Sequence, residues 1–294
     1  MLLSKLSSSL RSGRRYRVRP VASSGSPLLY KRDASFTSGS HKVPIMPERI
    51  TLYASQICPY AHRVDITLKE SGLEYKRFEI DLFAKPDWYA SKINLASKVP
   101  AIAYGGPDVE PDSPSPESTK LAESYILQEF IADLVPKLLP SDPVARHKAR
   151  FFVDTFSTKY TGPWGGALLR GEDPIAALLP AIEALQDLLP AEGYAVGEWS
   201  IADAAVTPHL ARTMLVLKYD LGAYDEEPGK KLYEILTKDE KFARFRKYFD
   251  DVTSREAFKS TWDEELIRKG FYNHLKNHRS DRLAKLKESA AVST

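Results

Sequence analysis

The chain has 294 residues and a single cysteine, Cys58. One thiol cannot close an intramolecular disulfide, which excludes a disulfide-stapled secreted scaffold. Nor can it supply the several thiolates of a structural zinc site, and no metal site is expected. No apolar run approaches the roughly 20 residues that a membrane-spanning helix needs, so no membrane span is expected. Acids are missing from residues 1–32, which hold eight Lys or Arg; the first acid is Asp33. The net charge of +3 therefore belongs to this arm, the remainder is mildly acidic, and no nucleic-acid surface is indicated. What is present suits a sizeable core: 43% hydrophobic and 28% charged residues, at a length that favours two domains.

Residues 1–47 form a basic arm dominated by Ser and Arg. Leu2, Leu3, Leu6 and Leu10 recur at near-helical spacing, with Arg11, Arg14 and Arg15 behind them. This is the composition of a mitochondrial transit peptide; a disordered basic tail without an address fits equally. Met46 stands just before the first folded element, so initiation there gives a complete domain without the arm. The expected compartment is cytoplasmic, with mitochondrial import through the arm as the alternative.

Folded structure is expected from residue 48. Residues 49–54 are β-branched and aromatic, a strand. A short loop leads to Cys58-Pro59-Tyr60-Ala61, which opens a helix that Ser71-Gly72 closes. Pro59 is compatible with the first turn, where its missing amide hydrogen is not needed. Cys58 thus falls at a helix N-terminus, where unpaired N–H groups and the helix dipole lower a thiol pKa. An inert core cysteine is expected in mid-element instead. His62 and Arg63 read as surface residues rather than catalytic partners. A second strand, 74–81, completes a βαβ unit. Then come a loop with Lys85-Pro86, a short helix over 87–92 and an apolar strand from Val99-Pro100 to Tyr104, whose leading proline suggests a cis bond. Residues 105–119 are rich in Pro, Ser and acid and read as an exposed loop. A short edge strand, 120–122, follows. Glu123-Ser124 then begins a helix whose apolar face is Ile126, Leu127, Phe130, Ile131 and Leu134.

This order, with Cys58-Pro59-Tyr60-Ala61, Lys85-Pro86-Asp87-Trp88, Lys98-Val99-Pro100 and Glu123-Ser124 in register, resembles the omega class of glutathione transferases. The similarity covers 49–140 well and continues more loosely to about residue 265. It implies an α/β thioredoxin-like N-terminal domain, 48–137, joined to an all-α domain, 138–275, with a tail at 276–294. It also implies glutathione as co-substrate. Cys58 would be the catalytic residue and form a mixed disulfide with it. Val99, turned by a cis Pro100, would offer its backbone to the cysteinyl unit. Glu123 would take the γ-glutamyl ammonium, Ser124 the carboxylate and Lys85 the glycine carboxylate. Each has a plainer reading: Lys85 a loop lysine, Ser124 a helix cap, Glu123 a first-turn acid. Tyr60, counted with Pro100 among the glutathione-binding residues, stands where the class more often has Phe, and the 105–119 loop is longer than usual.

From Val144 to about Arg268 the pattern is helical, with apolar positions at i, i+3 and i+4 over 144–160, 174–189, 201–218, 229–236 and 239–250. Ser200 and Asp203 make a capping box. Tyr160, Trp164 and Trp262 are candidates for the acceptor-pocket wall; core packing is the competing reading for each. The basic stretch 268–287 reads as a solvated terminal helix. With no second cysteine, the dithiol route is closed, and reduction must draw on free glutathione. The expected function is glutathione-dependent thiol transfer and reduction, of a small-molecule or glutathionylated substrate; dehydroascorbate reduction is implied by analogy. Conjugation should be weak, because Cys58 occupies the place of the hydroxyl that steadies the glutathione thiolate. The alternatives are a non-catalytic ligand-binding or interaction protein, and a soluble relative of the chloride intracellular channel proteins. No extended apolar segment after Cys58 supports the latter. A homodimer is the family's default.

Overall fold

β-Branched Ile50 and Thr51 and aromatic Tyr53 favour an extended chain, and they form β1 (Ile50–Ala54) in the computed structural model, which describes residues 48–292. The basic arm, with its transit-peptide and Met46 readings, lies outside the described residues. β1 pairs in parallel with β2 (Lys76–Glu79) and antiparallel with β3 (Ala101–Tyr104), and β3 pairs antiparallel with β4 (Thr119–Ala122). The sheet order is β2-β1-β3-β4. α1 (Pro59–Ser71) is the crossover between the two parallel strands, and it ends on Gly72 at φ 76, where a side chain would be strained. α1 and α3 (Ser124–Leu134) cover one face of the sheet through Leu52, Ala61, Val64, Leu68, Leu127 and Ile131. α2 (Asp87–Lys92) covers the other, around Tyr53, Ile80, Tyr89 and Ala101.

The second half is helical as expected. α4 (Pro143–Thr155) begins on an Asp142 cap. It continues through a π turn (Phe156–Tyr160), α5 (Thr161–Gly165) and a second π turn (Gly166–Arg170), so the helical path runs ten residues past its expected end and stops at Gly171, φ 76. Pro163 has no amide hydrogen and its ring crowds the carbonyl four residues back. That residue, Lys159, lies in the first widened turn. Next come α6 (Pro174–Gln186), α7 (Ile201–Lys218), α8 (Glu226–Lys238), α9 (Ala243–Thr253), α10 (Glu256–Lys259), α11 (Glu264–Leu275) and α12 (His278–Val292). The Ser200/Asp203 box forms at the start of α7, which is buried along almost its whole length and packs on α1. The Arg255 fork reaches across from α10 to Glu70 of α1 at 2.5 and 2.7 Å.

Four expectations are corrected, the last in part. His62 and Arg63 are buried, because α1 has the sheet on one side and α7 on the other. Ile126 is 65% exposed, and Gln128 takes the inward place, donating to Thr67 Oγ1 at 2.9 Å. The 105–119 loop folds back on the sheet: Tyr53 donates to the Pro111 carbonyl, and Ser115 and Ser118 are buried around the Lys120 ammonium. The tail is the expected solvated helix over most of its surface, but one edge of it is docked. Arg279 holds Asp220 with a fork, Arg282 pairs with Asp225, and His278 Nδ1 donates to the Leu169 carbonyl at 3.2 Å.

Candidate active site

Cys58 occupies the N-cap of α1 with extended backbone, φ −81 and ψ 118. Its amide donates to the Ser55 carbonyl (3.0 Å) and its carbonyl accepts from the His62 amide (3.1 Å), so the loop and the first helical turn fix the residue from both sides. The amides of Ala61 and Tyr60 favour an anion at the sulfur. The thiol is nonetheless pushed up, not down as its helix position suggests. Burial against the core is the largest effect, and it outweighs the pull of the Ala61 amide, Arg212, the Tyr60 amide and Arg63. The sulfur is half-buried, so burial opposes ionisation while the surrounding groups favour the ionised form.

A cavity of about 470 Å³ opens beside it. Cys58, Tyr60, Lys85, Val99, Pro100, Glu123 and Ser124 all line it, so four separated stretches of sequence meet there. The Val99–Pro100 bond is cis. Lys85 Nζ donates to the Ser97 carbonyl at 2.5 Å, and Ser124 Oγ accepts from Arg63 Nη1 at 3.4 Å. Glu123 is exposed and sits at φ 71, a left-handed conformation that costs a non-glycine residue about 1–3 kcal/mol. Leu82, Asn94 and Lys98 complete the wall; Lys98 belongs to the Lys98-Val99-Pro100 motif, while Leu82 and Asn94 carried no sequence signal. Asn94 Nδ2 donates to the Lys98 carbonyl (2.9 Å) and so shapes the turn into Val99.

A second cavity, about 290 Å³ and apolar, shares Cys58, Tyr60 and Leu82 with the first. Trp164 lines it, as do Ile57, Phe83, Leu169, Phe271 and His274, which sequence reasoning missed. The other two aromatic candidates are elsewhere. Tyr160 is sealed in the helical core, its hydroxyl hydrogen-bonded to Thr213 Oγ1 at 2.6 Å. Trp262 stacks on His62, centroids 6.0 Å apart, and lines a separate cavity with Ala211, Met214 and Phe249.

α1 and α7 together bury four polar side chains, His62, Arg63, His209 and Arg212, and the two arginines act on the sulfur. Arg63 lies over the Tyr125 ring at 4.1 Å and reaches His209 Nδ1 at 3.5 Å. Burial and the neighbouring arginine charges hold both histidines well below their ordinary pKa, hence neutral. Burial lowers Arg212 to about 9.

The family model described as "Glutathione S-transferase, N-terminal domain" matches residues 57–134. The chain is similar to glutathione transferase Omega 1C from Trametes versicolor, with 51% identity and a TM-score of 0.76, over 79% of this chain and 98% of that one. It is 31% identical to glutathione S-transferase L1 of Arabidopsis thaliana, over 58% of this chain and 70% of the relative. It is 29% identical to glutathione S-transferase omega-2 of Mus musculus, over 38% of this chain, and that match spans only 42% of the mouse protein.

Proposed function

The chain belongs to the omega class of the glutathione transferase family, and on that premise we propose that it is an enzyme of the cysteine type, transferring glutathione through Cys58. One observation carries the reading: the only cysteine stands in the wall where the polar and apolar cavities meet. Glutathione, the co-substrate, takes the polar cavity. Val99 offers it a backbone edge, Glu123 the ammonium contact, Ser124 and the start of α3 the γ-glutamyl carboxylate, and Lys85 the glycine carboxylate. The acceptor takes the apolar cavity against Trp164.

Cys58 must first lose its proton to water or to an incoming thiolate. The Cys58 thiolate attacks the glutathione sulfur of a mixed disulfide, forming a Cys58–glutathione disulfide and releasing the acceptor thiolate. A second glutathione thiolate attacks the glutathione sulfur of that bond. Oxidised glutathione leaves and Cys58 returns as thiolate. Deglutathionylation is this cycle; dehydroascorbate-type reduction would enter it differently, the Cys58 thiolate adding to a carbonyl carbon and a glutathione thiolate then attacking the Cys58 sulfur, so that the carbon–sulfur bond breaks, the reduced enediolate leaves and the same Cys58–glutathione disulfide remains. Among the described residues no helix is long and apolar enough to cross a membrane. A homodimer fits the family, and exposed Ile126 and Phe151, beside the Arg150–Glu129 ion pair that joins α4 to α3, are apolar side chains it would cover. Sedimentation velocity reads that directly.

Cys58→Ser tests the reading. It should abolish turnover of a glutathione mixed disulfide while conjugation stays equal or rises; full disulfide turnover by the variant would refute the assigned nucleophile. A carrier without catalysis is the second reading, favoured only by the apolar cavity, and it requires the wild type itself to turn over neither substrate.

A further inference from the structure

Arg77, Arg255 and Arg279 each pair with a carboxylate. Arg63 and Arg212 are fully buried and, among the described residues, pair with none. A buried guanidinium without an anion is expensive, so its persistence calls for an account. Arg212 belongs to α7, yet its bonds go to the loop that delivers the cysteine. Nη2 donates to the Gln56 carbonyl at 2.7 Å and Nε to the Ile57 carbonyl at 3.0 Å. Nη1 donates to the Pro208 carbonyl at 3.0 Å and lies 3.2 Å from His62 Nδ1.

The tautomer of His62 follows from its other neighbour. Thr261 Oγ1 donates to the Ala257 carbonyl (2.7 Å), so it accepts from His62 Nε2 at 2.8 Å. Nδ1 is then the acceptor for Arg212. The Trp262 ring lies 5.4 Å from the guanidinium carbon. A planar fork with fixed donors meets all of these partners; a lysine ammonium cannot.

We propose that Arg212 is a positioning residue for Cys58: it clamps the two carbonyls that lead into the cysteine, and its unpaired charge is neutralised when the sulfur ionises. The proposal rests on the assignment of Cys58 as nucleophile. Other charged and titratable groups lie on the elements packed around Cys58. Arg63, from α1, is the second buried cation, and Tyr60 and neutral His62 share that helix. Neutral His209 accompanies Arg212 on α7. Lys85, Lys98 and Glu123 stand across the polar cavity, where water screens them, and His274 of α11 rims the apolar one.

Since Cys58 is the only cysteine, iodoacetamide alkylation of the full chain, followed against pH, reads that sulfur alone. Arg212→Gln should move the profile upward by at least about one pH unit, slowing alkylation about tenfold on the acid limb. The high-pH plateau should stay within about threefold, and Arg63→Gln should shift the profile less. Superimposed wild-type and Arg212→Gln profiles would overturn the proposal. If Arg212→Gln does not fold, Arg212→Lys decides. It should keep the profile but lose at least about tenfold in thiol transfer for want of the clamp, and unchanged transfer would overturn the proposal. The two readings fail separately. A shifted profile in a protein that turns over no disulfide would sink the function and leave the Arg212 role standing. Normal turnover with an unshifted profile would do the reverse.

Discussion

Replacing Asp203 with Asn should change how stability depends on acidity. The Asp203 carboxylate is fully buried and, among the described residues, pairs with no cation. Oδ1 accepts from the Ala195 amide and the Tyr248 hydroxyl, each at 2.9 Å, and Oδ2 from the Ser200 amide at 2.9 Å. Burial pushes its pKa from 3.8 up to about 6, against the pull of those donors. The unfolded chain therefore gives up the proton near pH 4, while the folded chain keeps it to about pH 6. Between those values unfolding releases a proton, so the folded state loses stability as pH rises, and the loss is complete above the folded pKa. About two pH units at 1.36 kcal/mol each make it about 3 kcal/mol. Other acids titrate as well, but they cancel in the difference between wild type and Asp203→Asn. Urea denaturation followed by circular dichroism from pH 4 to pH 7 measures that difference. Relative to the variant, the wild type should lose about 3 kcal/mol between pH 4 and pH 6 and then stay level. A flat difference, or one growing in favour of the wild type with pH, would show that the donors outweigh burial and refute the reasoning.

Glu123→Ala should weaken glutathione binding about 10- to 100-fold by calorimetry, the worth of one charge-assisted contact. Glu123→Gly should bind as weakly but be about 1 kcal/mol more stable than the alanine variant, since glycine tolerates φ 71. Trp164→Leu should raise the KM of an aromatic acceptor about 5- to 20-fold and leave the glutathione KM within about twofold, as steady-state kinetics with each substrate varied will show. Glu70→Ala removes the part-buried partner of Arg255 and should cost about 1–2 kcal/mol. Its Tm should drop about 3–6 °C, and by less in 1 M salt.

The local signals in the sequence translated well into elements. β1 follows its β-branched run to within a residue, α2 spans the expected 87–92, and Gly72 and Ser200 mark the helix ends they suggested. The residues placed around glutathione by motif do meet at one cavity, because each motif lies where a short loop joins a strand to a helix or a strand. What failed was any reading that treated a segment as having one wet side. α1 lies between the sheet and α7, so Arg63 and His62 go inward in spite of their polarity. The 105–119 loop has the composition of an exposed segment. Ser115 and Ser118 are nonetheless buried, because the loop's backbone carbonyls meet the Tyr53 hydroxyl and the Lys120 ammonium. Arg212 could have raised a flag, as a cation inside an apolar helical run. Its reach to Gln56 crosses 156 residues and no periodicity shows it.

The last helix has a practical bearing on the apolar cavity proposed for acceptors. His278 ties down the carbonyl of Leu169, and Leu169 and His274 line that cavity. α11 and α12 are thus a door frame latched to the α7–α8 turn by Arg279 and Arg282. Cargo fused beyond residue 292, or a protease nick near Asn277, would loosen the frame and change which molecules pass before any residue around glutathione moved.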